Sequence, residues 1–364
     1  MNDQPHHDAA EGGISRKTLL GRGALVAGAV AAPSLFGGAA AARASGGDVV
    51  LAPKYRPLAG FRPDLDLTGK LAVITGASRG NGRAVGEALA ARGVDVIGTS
   101  RDPSSVPDPP SFPLLKLDVA DPASVLAFPA RVAAHRLFRR RGQVDILANN
   151  AGRFVFGQIV PGSPANLALY ATQRELAVRT LYSGHVMVTD AMLPLLAQQG
   201  YSRIVFTVSV ASYYTGATLA GASFIDAYGS GKAALRTYAD NLGAALQQGG
   251  SAIRVSTVNP YVMHTGLAEH PHPIYTQPVN ASGLSDTDPV FNAVVTGVRQ
   301  LLANGQPPSQ VGETYAQLLA LNDPDPSVVV GSPNEPLKTQ GGNALIEPQL
   351  LAENRLSAMR FISA

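Results

Sequence analysis

The sequence predicts an α/β protein built around a parallel sheet. Short apolar runs alternate with longer helical-period segments from residue 70 to residue 258. The first of these runs ends in a glycine-rich turn that opens a helix. A chain of 364 residues, 45% hydrophobic and 15% charged, is also large and apolar enough for one sizeable core with extensions. Strands that alternate with helices are covered on both faces, which is the setting of parallel pairing.

The elements follow in order. Leu71 to Thr75 reads as a buried strand (70–75), and the turn Gly76-Ala77-Ser78-Arg79-Gly80-Asn81-Gly82 comes next. Val85, Leu89 and Ala90 continue it as a helix over 81–92. Strands are expected at 94–99 and 113–118, separated by a proline-rich loop from Ser100 to Pro113. A helix over 122–138, a strand at 145–149 and a long helix over 172–198 come next. Then come a strand at 202–208, a helix over 228–247, a strand at 252–258 and a last strand near 327–330. Residues 266–310 are irregular, with His270, Pro271, His272, Pro273 and Pro278, and are expected to form a lid over the substrate. Its two histidines lack a third ligand in register, so no metal site is expected.

The N-terminal residues are a different material. Ser15 to Leu20 precedes an apolar stretch from Ala24 to Ala42, and Ala42-Arg43-Ala44 offers a small-residue cleavage site. Residues 1–44 therefore read as an export signal. It resembles a twin-arginine signal in which Lys17 stands for the second arginine. The alternatives are a cytoplasmic protein or one associated with a membrane through this segment, which is just long enough to span. Residues 45–67, with Pro53, Pro57 and Pro63, read as a linker; 68–335 is the main domain and 336–364 a C-terminal extension.

Composition excludes some functions. Cysteine is absent, which rules out disulfides and thiolate metal sites. The formal net charge is only +3, and no basic stripe with interleaved aromatics suggests a nucleic-acid partner. Arg136, Arg139, Arg140 and Arg141 read as a solvated helix end.

Two segments carry chemistry. Glycines at 76, 80 and 82 let the backbone turn sharply and approach a pyrophosphate, with the helix N-terminus beneath it. Tyr228 and Lys232, four apart on a helix, share one face, so the ammonium can approach the phenol. A nearby positive charge favours the phenolate, and a tuned phenol suits proton transfer at an alcohol or carbonyl oxygen.

Together these segments resemble the short-chain dehydrogenase/reductase family. The resemblance covers roughly residues 68–265 and rests on motifs in family order: Thr75 to Gly82, Leu117-Asp118-Val119, Asn149-Asn150-Ala151-Gly152, the strand Ile204 to Val208 leading into Ser209, and Tyr228-x-x-x-Lys232. It implies a doubly wound Rossmann-type fold, with a seven-stranded parallel sheet and helices on both faces. It also implies an NAD(P)-dependent oxidoreductase that moves hydride at the carbon of a small carbonyl or alcohol substrate. Tyr228, Lys232 and Ser209 would be catalytic, with Ser212 a rival because the interval to Tyr228 is long. The cofactor would meet Gly76, Ser78, Arg79, Gly80 and Gly82 in the turn, and Asp118 at the adenine edge. It would also meet Asn150, Ala151 and Gly152 on the adenine-ribose side, and Lys232 and Tyr228 near the nicotinamide ribose. Pro260, Met263 and Thr265 would lie by the carboxamide, and the long helices suggest a homo-oligomer.

After the second strand stands Ser100-Arg101, where an NAD site usually places a carboxylate, and Arg79 lies in the glycine turn. Two guanidinium groups suit a phosphate monoester, so NADP is expected over NAD. Two departures from the family pattern matter. Leu181 stands where the family has an asparagine that braces a proton relay, and Tyr261 follows Pro260 where glycine is usual. A catalytically weakened dinucleotide-binding protein is therefore one alternative, and an isomerase or dehydratase on the same fold another. Leu267, Ile274, Tyr275 and Leu284 in the expected lid favour an apolar substrate.

Overall fold

Seven strands form one all-parallel sheet in the order β3-β2-β1-β4-β5-β6-β7. They are β1 (Leu71–Ile74), β2 (Asp95–Ser100), β3 (Leu114–Lys116), β4 (Ile146–Asn149), β5 (Ser202–Thr207), β6 (Ile253–Pro260) and β7 (Ser327–Val330). The computed structural model describes residues 64–153, 171–172, 174–197, 200–212, 226–265, 303–324 and 326–330. The expected export signal, most of the expected linker and lid, and the expected C-terminal extension lie outside these residues.

Each strand alternates its side chains between two cores. Ala72 and Ile74 of β1 face one side, with Val85 and Leu89 of α1 (Gly80–Ala90). Leu71 and Val73 face the other, with Phe128, Val188 and Leu235. All four β1 residues are buried, as burial on both faces requires. The strand order reverses between β1 and β4, so a crevice opens at the carboxyl edge of these strands.

The helices depart from their expected spans. The expected helix over 122–138 is three short ones: α2 (Pro122–Leu126), α3 (Phe128–Ala134) and α4 (Arg136–Arg141). Pro129 enters at the start of α3, and His135 is extended, its ring accepting from the Leu137 amide as a cap. The arginines of α4 are not merely solvated: Arg140 pairs with Asp95, and Arg141 chelates the buried Asp145 at 2.8 Å on both oxygens. The expected helix over 172–198 contains a π turn (Arg179–Ser183), continues as α5 (Gly184–Met192) and tightens to a 3-10 turn, Leu193–Leu195, that holds Pro194. One long helix, α6 (Asp226–Gln248), then precedes β6.

A further helix, α7 (Ser309–Leu319), was not expected. It lies on α1, where a Cβ on Gly312 would collide with the Ala84 carbonyl. The backbone leading to it is tied to the residues after β6, by His264 N–H to Gln306 O at 2.9 Å and Gln306 N–H to Val262 O at 2.8 Å. Among the described residues no helix is long and apolar enough to cross a membrane.

Candidate active site at the carboxyl edge of the sheet

The glycine turn closes on the end of β4. Gly76 has φ +64°, a conformation that other residues adopt only at a cost. A Cβ on Gly82 would collide with the Gly76 carbonyl and the Asn150 amide, so only glycine permits this approach. Thr75 Oγ1 accepts from the amides of both Asn150 and Ala151 at 2.9 Å. Asn150 Nδ2 donates to the carbonyls of Thr75 and Gly76 at 3.1 and 3.2 Å. The amides of Asn150 and Ala151 are thus committed to Thr75, which narrows the backbone contacts expected of them towards a ligand. The turn leaves a tight cradle before the α1 N-terminus, of the shape and polarity that suit a pyrophosphate.

Around the cradle stand the other expected residues. Ser78 is half-buried in the turn. Thr265 packs over Gly80, whose Cβ would stand 3.2 Å from that of Thr265. Met263 is buried and bridges to Gln306, and Pro260 ends β6. Asp118 accepts from the Ala120 amide at 2.9 Å and its own amide is held by Ser124. Arg79 is exposed overall, yet partial burial and then the charge of Arg101 hold its guanidinium below the usual range. The two arginines are therefore close enough for the charge of Arg101 to act on Arg79.

Tyr228, Lys232 and Ser209 converge where β5 meets the first turns of α6. Lys232 is buried, and its Nζ donates to the Thr207 carbonyl at 2.7 Å. Burial pulls the amine down to about 7. The Tyr228 phenol is pushed up by burial, against which a hydrogen bond with Ser209 works. The phenol thus lies above its ordinary range, not below it as expected, because desolvation dominates. Ser209 Oγ also accepts from the Ala211 amide at 3.1 Å. Ser212 has a buried Oγ with no partner among the described residues, and it is Ser209 that meets the phenol.

Leu181 is fully buried in the π turn, packed with Ala177, Ala227 and Tyr228. It lies against Gly231 and within van der Waals range of Gly152, so an apolar side chain walls this side of Lys232. The Nζ itself is 3.8 Å from where a Gly152 Cβ would be. The flank holds no polar side chain at the Leu181 position, as the sequence indicates.

Three functional neighbours escaped the sequence reading. Thr207 joins the site at two atoms: its carbonyl holds Lys232, and its hydroxyl donates to Asn150 Oδ1 at 3.1 Å. Tyr315 of α7 reaches the same hydroxyl at 2.6 Å. His185 of α5 is fully buried with Nε2 2.7 Å from the Ala151 carbonyl. Burial, then the charge of Lys232, lowers it to about 3, so the ring is neutral. Its Nδ1 is buried with no partner among the described residues, which costs about 1–3 kcal/mol in desolvation. None of these carries a spacing signal, because each reaches the site only through the fold.

Comparison with known proteins agrees with this geometry. The family model described as short chain dehydrogenase matches residues 70–273. A dehydrogenase/reductase SDR family protein 7-like of Drosophila melanogaster is 29% identical over 272 residues, covering 71% of this chain and 72% of that protein. The 3-oxoacyl-[acyl-carrier-protein] reductase of Escherichia coli is 42% identical over 93 residues, which is 24% of this chain and 36% of that protein. Among solved structures, a short-chain dehydrogenase/reductase from Burkholderia phymatum in complex with NAD aligns with TM-score 0.57 and 21% identity, over 80% of this chain and 94% of that one. A short-chain type dehydrogenase/reductase from Mycobacterium marinum aligns with TM-score 0.52 and 22% identity, over 73% and 95%. The chain belongs to the short-chain dehydrogenase family, whose members are NAD(P)-dependent oxidoreductases with a Rossmann-like fold.

Proposed function

We propose that the protein transfers hydride between NADP(H) and the carbonyl or alcohol carbon of a small, mostly apolar molecule. One observation carries this reading: the Tyr228 phenol is hydrogen-bonded to Ser209, one helical turn from the buried amine of Lys232. The glycine cradle, Asp118 and the Asn150–Gly152 segment would hold a dinucleotide, which would supply the hydride by its own chemistry. Ser209 holds the substrate oxygen by its hydroxyl and stabilises charge that develops there. Tyr228 gives its phenolic proton to that oxygen during reduction and takes it back during oxidation. Lys232 binds the nearer ribose and replaces the proton that Tyr228 gives up, a role suited to an amine that titrates near neutrality.

The arginine pair at 79 and 101 supports NADP over NAD, since two forked cations match a phosphate monoester. The NAD held by the Burkholderia phymatum protein, and the acyl-carrier substrate named for the Escherichia coli reductase, illustrate the range open to the family. The apolar side chains of the 266–310 segment support an uncharged substrate. The basic, apolar and small-residue sequence of residues 15–44 supports export or a membrane anchor.

A second reading, a dinucleotide-binding protein with little turnover, is favoured by Leu181 beside Lys232, because an apolar wall impedes proton resupply. Following NADPH oxidation with a panel of aldehydes and ketones, beside a titration of NADPH and NADH, tests both. Turnover with at least one apolar carbonyl is expected. Tight dinucleotide binding with no turnover on any of them would favour the second reading, and no binding at all would sink both.

A further inference from the structure

We propose that His185 is a positioning residue that fixes Ala151 for dinucleotide binding, by donating its Nε2–H to the Ala151 carbonyl. This rests on the reading of the glycine cradle as a dinucleotide site. A carbonyl oxygen only accepts, so the 2.7 Å contact places the ring proton on Nε2. The same choice leaves Nδ1 as a bare lone pair, buried with no partner among the described residues. A purely packing role would be served better by an apolar side chain of similar volume, which has no such atom to desolvate.

The ring is one half of a clamp. One helical turn further along α5, Thr189 Oγ1 accepts from Asn149 Nδ2 at 2.9 Å and donates to the His185 carbonyl at 2.8 Å. Residues 185 and 189 thus hold both ends of the Asn149–Ala151 segment, while Thr75, Gly76 and Thr207 hold Asn150 between them. Pressed from below, Ala151 meets the glycine turn so closely that a Cβ on Gly76 would stand 2.8 Å from its Cα. Its carbonyl lies directly before Gly152, where a Cβ would stand 3.8 Å from Lys232 Nζ. Without the imidazole donor, the Ala151 carbonyl loses this anchor and only its amide, on Thr75 Oγ1, still ties Ala151 to the cradle.

The test compares His185→Gln, whose side-chain Nε2 can reach Ala151, with His185→Leu and His185→Asn, which cannot supply that donor at that reach. In the full-length protein, NADPH and NADH dissociation constants are measured by fluorescence titration. Amide exchange over residues 149–153 is measured without dinucleotide. Leu and Asn are expected to weaken dinucleotide binding about 10-fold, as for the loss of one hydrogen bond, and to speed exchange over this segment. Gln is expected to stay within about threefold of wild type and to restore protection, because it keeps the hydrogen bond. Should Leu fail to fold, the Asn and Gln pair decides. Equal affinity and exchange in Gln and Asn, with wild-type binding intact, would overturn the inference alone. A wild-type protein that binds neither dinucleotide would overturn the functional reading and this inference together.

Discussion

Burial puts an electrostatic cost on Lys232. Burial lowers its amine to about 7, whereas an unfolded lysine titrates near its ordinary 10.5. Between these values the unfolded chain holds a proton that the folded one has released, so folding stability rises with pH across this window. The cost is fully present below pH 7 and relieved towards 10.5. Lys232→Met is therefore expected to raise Tm at pH 6 by roughly 5 °C, with the gain shrinking as the pH approaches 10.5, while turnover collapses. A variant no more stable than wild type at pH 6 would show that the amine is not paying this desolvation cost. The arginine pair gives a second residue-scale expectation. Replacing Arg79 and Arg101 together by Ala should raise the NADPH dissociation constant about 10–100-fold and leave NADH almost unchanged. Equal losses for both dinucleotides would assign the pair to packing, not to a phosphate.

Among elements, the connection from α4 to β4 and β1 shows how a buried charge holds the sheet together. Asp145 is completely buried; burial alone would raise its carboxyl, but hydrogen bonds from Arg141, the Leu71 amide and Gln143 hold it below the usual range. Asp145→Ala leaves the Leu71 N–H and the Arg141 fork unpaired and should cost about 3 kcal/mol, measured by urea unfolding at pH 7. Because the depressed carboxyl contributes stability only above its unfolded pKa, the difference from wild type should narrow as the pH falls towards 3. An undiminished difference at low pH would contradict this. Helix boundaries were the least legible part of the sequence. Pro129 sits inside the expected 122–138 helix and breaks it, a signal that apolar periodicity masked. The π turn at Arg179–Ser183 left no trace in the spacing, since one widened turn keeps Leu181 and Gly184 on the buried side. Helix α7 was missed because Ser309 to Leu319 follows a long irregular segment and mixes Gly312, Glu313 and Gln317 with its apolar residues.

For the molecule as a whole, the sheet order and the site have a common cause. Parallel strands deliver Thr75, Asn149 and Thr207 to one edge, and the order reverses there between β1 and β4. Local chemistry made the glycine turn and the Tyr228–Lys232 pair legible, and the family resemblance pointed to Asn150-Ala151-Gly152 and Ser209, each at the end of a strand. Thr207, Tyr315 and His185 were not legible: their partners are 25 to 108 residues away in sequence. The most direct measurement is single-turnover NADPH oxidation by the Tyr228→Phe variant with a carbonyl that wild type reduces. The rate is expected to be about 10²–10⁴-fold lower, with the NADPH dissociation constant unchanged. A Phe variant that turns over at the wild-type rate would contradict this.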